Sequence, residues 1–212
     1  MSHPALALRL HGTWRAARPG GLYAQVLGQR FRCLHTSIQR LHGELEDVRG
    51  ICHVQHGKFT ARLIARLLGL PRAGERQALR VVFDRITSAN RIREHWHRWF
   101  AGHRLSTWQW QEGEQLCERF GPLVFGFHLR ADKTGLRHEL AGCRLIGLRL
   151  PRWLWPAIEG DEWPVGRNGV GFRVRVALPL LGTLIEYGGM VYVGDMDAAT
   201  AAVHEGNGSD AS

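Results

Sequence analysis

Lysine is almost missing from this 212-residue chain: of its 28 basic residues only Lys58 and Lys133 are lysines, so the net charge of +9 is carried by guanidinium. The arginines are spread along the chain and form no block or stripe of the kind nucleic acid requires, so no specific nucleic-acid partner is expected. Cysteine is scarce too. Cys33, Cys52, Cys117 and Cys143 form no CxxC pair, which excludes a finger-type zinc site and reads as reduced thiols of a cytoplasmic protein. No apolar run reaches membrane-spanning length, because the most apolar late stretch, VALPLLGTLIEYGGMVYV, is interrupted by Pro179, Glu186 and three glycines. The N-terminus lacks a secretory h-region with its cleavage site. Two fingerprints are also missing: a GxGxxG between strand and helix, and a GxSxG elbow. Their absence removes a dinucleotide-binding domain and a serine-hydrolase nucleophile from consideration.

What is present is ordinary globular material, 44% apolar and 22% charged, in a length suited to one domain. Residues 1–20 lack a period and end in Arg18-Pro19-Gly20-Gly21, so they read as loosely ordered. The tail 195–212 is Ala, Gly, Ser and acidic, and reads as flexible. Between them lies a single domain, 21–194. Leu22, Val26, Phe31, Leu34, Ile38 and Leu41 recur at helical spacing up to Gly43, which predicts a helix over 22–42; Phe59, Leu63, Ile64, Leu67 and Leu68 predict a second, closed by Gly69-Leu70-Pro71. A short strand, 49–56, separates the two helices. After Pro71 the period changes to two, predicting strands over 78–87, 91–101, 104–111, 116–131, 136–150, 171–179 and 183–193. The expected fold is therefore α+β: a curved antiparallel sheet or lipocalin-like barrel of seven to nine strands with two N-terminal helices packed on it. A helix-grip fold is the alternative, for which the Ala-rich piece 197–205 is a poor candidate helix.

The stretch REHWHRWF, residues 93–100, carries most of the chemical interest. Alternation places Trp96, Arg98 and Phe100 on one face with Glu94, and His95, His97 and Trp99 on the other. Two imidazoles at i and i+2 on a strand could share a metal ion, but no third ligand stands at a recognisable spacing, so no metal is expected. The face bearing Trp96, Arg98 and Phe100 reads as the wall of a partly polar cavity. Charges that alternate with apolar residues on an inward face must be paired or must meet a polar ligand. Glu118-Arg119 before a Phe-Gly-Pro corner, Glu162-Trp163, Arg167 and Glu186-Tyr187 are of this kind.

Several segments taken together resemble a bacterial family, domain of unknown function 4166. They are Arg40-Leu41-His42, ARLIARLLGLPRAGE, Trp96-x-Arg98-x-Phe100, Glu118-Arg119-Phe120-Gly121-Pro122 with Phe125 and Phe127, Leu150-Pro151, and Glu186-Tyr187-Gly188-Gly189. The resemblance runs from about Leu22 to Val193. It implies an uncharacterised domain that occurs alone or attached to saccharopine-dehydrogenase-like or short-chain oxidoreductase domains, and it supplies no catalytic residues. Any oxidoreductase partner would here be a separate chain.

The functional expectation is non-catalytic binding of a hydrophobic or amphipathic small molecule with an anionic headgroup, in a cavity enclosed by the sheet and without a cofactor. The candidate ligand-binding residues are Trp96, Arg98, Phe100, Glu118, Arg119, Arg167 and Tyr187. An enzyme acting in the same cavity, or an accessory domain partnering an NAD-dependent oxidoreductase, are the alternatives.

Overall fold

The computed structural model describes residues 21–44, 46–88 and 91–194; the segment 1–20 and the tail 195–212 lie outside the described residues. The chain begins with α1 (Gly21–Leu27), a 3-10 segment (Gly28–Cys33) and α2 (Thr36–Gly43), followed by β1 (Asp47–His56), α3 (Phe59–Leu67) and β2 (Gly74–Ser88). There follow β3 (Arg91–Phe100), β4 (His103–Glu112), β5 (Gln115–Phe120), β6 (Leu123–Asp132), β7 (Gly135–Leu145), β8 (Leu148–Arg149), β9 (Ala157–Val165), β10 (Gly169–Leu178) and β11 (Gly182–Tyr192). The strands pair in the order β6-β5-β4-β3-β2-β1-β11-β10-β9-β7, and β6 pairs with β7, so ten antiparallel strands close into a barrel. The two-residue β8 is an appendage on β7. Closure leaves no free edge on the ten-stranded ring.

Ten strands exceed the expected seven to nine for two local reasons. Gly121-Pro122 cuts the apolar run 116–131 in two: Gly121 adopts φ +55° and Pro122 has no N–H for a ladder, so the run turns into β5 and β6. β9 was not predicted because AIEGDEWPV, with three acids, a glycine and a proline, has the composition of a loop. Its backbone is nonetheless paired with β10 from Ala157 to Val165. The sheet closes on itself, and the candidate helix 197–205 of the alternative fold lies outside the described residues.

One core fills the barrel, and the N-terminal segment plugs one mouth of it. Leu22, Tyr23, Leu27, Phe31, Leu34, Ile38 and Leu41 are all buried in the same cluster as Val48, Phe83, Trp96, Phe100, Phe127 and Val191 of the barrel interior. The apolar period is the one read as a single helix over 22–42, but a straight helix of that length measures about 30 Å. It could not tuck its whole stripe into one barrel mouth. The chain bends at Gly28, φ +57°, and restarts at α2, where His35 accepts the Ser37 N–H as a cap.

Glu94 fastens this plug. Its carboxylate, 1% exposed, accepts from the Leu22 backbone N–H at 3.1 Å, Arg85 Nε at 3.0 Å and Trp96 Nε1 at 3.1 Å. Arg85 also donates to the His42 and Gly43 carbonyls at the end of α2, where unpaired helix carbonyls favour a cation. In the Glu186-Tyr187-Gly188-Gly189 segment, a side chain at Gly189 would collide with the Ile51 backbone, so the glycine is what allows β1 and β11 to pair closely.

Candidate ligand cavity inside the barrel

Because side chains alternate along each strand, every second residue of the barrel projects inward. Four consecutive strands align Arg85, Glu94, Gln109 and Glu118 side by side across β2, β3, β4 and β5. This row makes one wall of the interior polar. One step toward the other mouth, Thr107 and Arg98 extend it: the Thr107 hydroxyl donates to Glu118 Oε1 at 2.6 Å and accepts from Arg98 Nη1 at 2.9 Å, while Arg98 Nη2 lies 3.4 Å from the same carboxylate oxygen. The guanidinium sits 4.7 Å from the Trp96 ring centroid, a cation–π contact. Burial opposes the charge of Arg98, but Glu118 beside it keeps the group ionised.

Across the interior, β7 and β9 bring His138 and Glu162. Glu162 accepts from His42 Nε2 at 2.7 Å, and the Tyr23 hydroxyl lies 3.3 Å from His138 Nε2. Tyr23 stacks on His42 with centroids 3.7 Å apart. Burial holds His138 below the usual imidazole range, so it is neutral near pH 7 and accepts from the Tyr23 hydroxyl. Burial pushes the Glu162 carboxyl up, but its contact and hydrogen bond with His42, together with the Arg98 guanidinium, outweigh it and leave the carboxyl low. Phe100 and Tyr187 meet edge to face at 5.3 Å, and burial raises the Tyr187 phenol.

Between these groups lies a cavity of ≈ 130 Å³, lined by Trp96, Arg98, Phe100, Gln109, Glu118 and Tyr187 among others. Gln109, 2% exposed, has an Oε1 with no hydrogen-bond partner among the described residues. An unmatched buried acceptor is costly, and Gln109 is among the residues that line the cavity.

Of the seven residues singled out in the sequence, five therefore share this cavity: Trp96, Arg98, Phe100, Glu118 and Tyr187. Arg119 and Arg167 do not. Arg119 follows Glu118 on a strand, so the two must face opposite ways, and Arg119 is exposed on the outer surface. Arg167 stands exposed in the turn between β9 and β10. Gln109, His138 and Glu162 complete the polar lining; His138 was legible through its alternation with Leu136 and Leu140, whereas Gln109 sits in a strand dominated by tryptophan.

The other face of β3 carries its own cluster. His97 Nε2 donates to Asp84 at 3.0 Å, its Nδ1 accepts from Arg104 Nη2 at 2.8 Å, and His95 stacks on Trp108 at 4.1 Å. Asp84, the missing third ligand, arrives from β2, and one donor atom from each of Asp84, His95 and His97 lies within 4.8 Å of the others. The ligand types suit zinc. However, the Arg104 guanidinium occupies Nδ1 and so keeps the proton on the Nε2 that a metal would need. The three buried cysteines offer no nucleophile: burial pushes the thiols of Cys52 and Cys117 up to about 11 and raises that of Cys143 as well, far from thiolate at neutral pH.

A closed antiparallel barrel around a small, partly polar cavity thus defines the class of protein. The chain belongs to the family described as Domain of unknown function (DUF4166), whose sequence profile matches residues 34–191. Among solved structures, Rv2717c from M. tuberculosis is similar at 10% identity and a TM-score of 0.43, over 75% of this chain and 98% of that one. No curated protein matches the sequence. No helix among the described residues is long and apolar enough to cross a membrane.

Proposed function

We propose that the barrel binds a small hydrophobic or amphipathic molecule without transforming it. The observation that carries this reading is one cavity that joins an aromatic wall to the buried side chain of Gln109, whose Oε1 has no partner among the described residues. The volume bounds the ligand: a cavity of about 150 Å³ accepts benzene, so ≈ 130 Å³ suits a single-ring molecule and not a fatty-acid tail. The charge balance bounds it too. With Arg119 and Arg167 outside and Arg98 matched by Glu118, the interior holds no spare positive charge, and the anionic headgroup loses its support. A neutral group able to donate to Gln109 Oε1 fits better.

The test is a titration of isotopically labelled protein with phenol and with benzene, followed by NMR. Phenol, a single ring that carries an O–H donor, is expected to shift resonances of the cavity lining and to bind more tightly than benzene, and Gln109→Leu is expected to remove that preference. Shifts confined to the outer surface, or none at saturating phenol, would refute the reading.

A further inference from the structure

The mouth opposite the plug has an unusual surface. Five connections build this rim: the α3 segment between β1 and β2, the β3–β4 and β5–β6 turns, the passage from β7 to β9, and the β10–β11 turn. Among the described residues, eleven of the fifteen large apolar side chains left exposed lie there, with Phe59, Leu67, Ile146, Leu148, Trp153 and Leu180 at 73–107% exposure. Scattered exposed apolar residues need no explanation, but a concentration at one pole does.

α3 shows how deliberate the exposure is. A helix lying on a core ordinarily turns its large apolar residues inward. Here the small Ala61 and Ala65 pack against Leu184 of the barrel, while Phe59, Leu63 and Leu67, spaced four apart on one stripe, face solvent. Ala61 and Ala65 let the helix sit close to the barrel and leave the large side chains projecting.

The charge at the same rim is one-sided. The segments 57–73, 101–104, 119–123, 143–156 and 178–183 contain nine Arg or Lys residues and no Asp or Glu; among the described residues only Arg144 of these nine is ion-paired, reaching along the barrel wall to Glu112. Lys58, Arg62, Arg66 and Arg72 around α3 are exposed. The plugged end differs: its turns mix Glu46, Asp47, Glu112, Glu114 and Asp132 with Arg91, Lys133 and Arg167. Apolar side chains that protrude instead of forming a flat face, ringed by eight cations with no carboxylate partner among the described residues, match the interface of an anionic bilayer, where the former enter the acyl boundary and the latter meet the headgroups.

We infer that this rim docks peripherally on an anionic membrane surface through Phe59, Leu63, Leu67 and Leu180, with Lys58, Arg62 and Arg66 on the headgroups. The inference rests on the outer rim and stands apart from whatever the cavity holds.

Vesicle co-sedimentation tests it, using phosphatidylcholine alone and phosphatidylcholine doped with phosphatidylglycerol. Wild type is expected to bind the doped vesicles and not the neutral ones. Leu63→Ser/Leu67→Ser is expected to lose binding. Arg62→Gln/Arg66→Gln is expected to weaken it roughly twenty-five-fold, at about fivefold per cation near the surface. Both pairs are exposed, so melting temperatures should stay at the wild-type value, and Ile86→Ser at the opposite end should bind like wild type. Equal binding to both vesicle types, or no binding by wild type, would overturn the proposal; so would wild type self-associating through this face, seen as a dimer in sedimentation that Leu63→Ser/Leu67→Ser converts to monomer without any vesicle binding.

Discussion

Replacing Arg98 by methionine keeps the apolar stem against Trp96 and deletes the charge. In the folded protein Arg98 and Glu118 are 13% and 21% exposed at the side chain, so the carboxylate left behind is mostly desolvated and keeps only the Thr107 hydroxyl. Removing one member of a buried pair costs about 3–5 kcal/mol; the cavity gives this pair some contact with solvent, which places Arg98→Met near the lower end, about 3 kcal/mol. For a chain of this size that lowers the melting temperature by roughly 6–12 °C, at about 2–4 °C per kcal/mol. Arg98→Met/Glu118→Gln removes both charges and should recover much of the loss, with a coupling energy of about 1.5 kcal/mol or more. Urea unfolding of the wild type, both single variants and the double variant measures it. Additivity to within about 0.5 kcal/mol would show that the two groups do not act as a pair, and would free Arg98 to serve an anionic ligand.

Two further outcomes follow from the geometry. Burial lowers the His138 pKa in the folded state, so protonation favours the unfolded chain: stability should be full at neutral pH and should decline as pH falls below about 6.5, the unfolded histidine value. His138→Gln should flatten that slope between neutral pH and the folded pKa, and an unchanged slope in urea titrations would exclude His138 as its source. On the outer face, Arg104 bound to His97 Nδ1 should prevent tight zinc binding at Asp84, His95 and His97, so protein purified without an affinity tag and dialysed against chelator should contain no stoichiometric zinc by elemental analysis. Zinc retained at one equivalent, and lost in His95→Ala, would show the cluster to be a metal site.

Local pattern carried much of the architecture. Period two in 93–100 separates the Trp96, Arg98 and Phe100 face from the His95 and His97 face because strand geometry leaves no other choice. The stripe from Leu22 to Leu41 and the helix stop at Gly69-Leu70-Pro71 were readable for the same kind of reason: each depends on neighbours a few residues away. The single rigid helix over 22–42 and the unread strand 157–165 show where that reasoning stops, since each was decided by what the segment packs against; the undivided strand 116–131 instead overlooked a local signal, the Gly121-Pro122 turn.

The sequence by itself determined that the chain makes a large antiparallel sheet with an apolar N-terminal segment, and which side chains in most strands share a face. Only the tertiary structure decided that β6 meets β7 to close the ring, that α1 and α2 enter one mouth, and that Gln109, Glu118, His138 and Glu162 converge on one cavity while Arg119 and Arg167 stay outside it. It also turned the large residues of α3 outward, where the same stripe had read as a core face. Closure and cavity both depend on registers between strands far apart in the chain, set jointly by all ten pairings, and no window of local sequence contains that information.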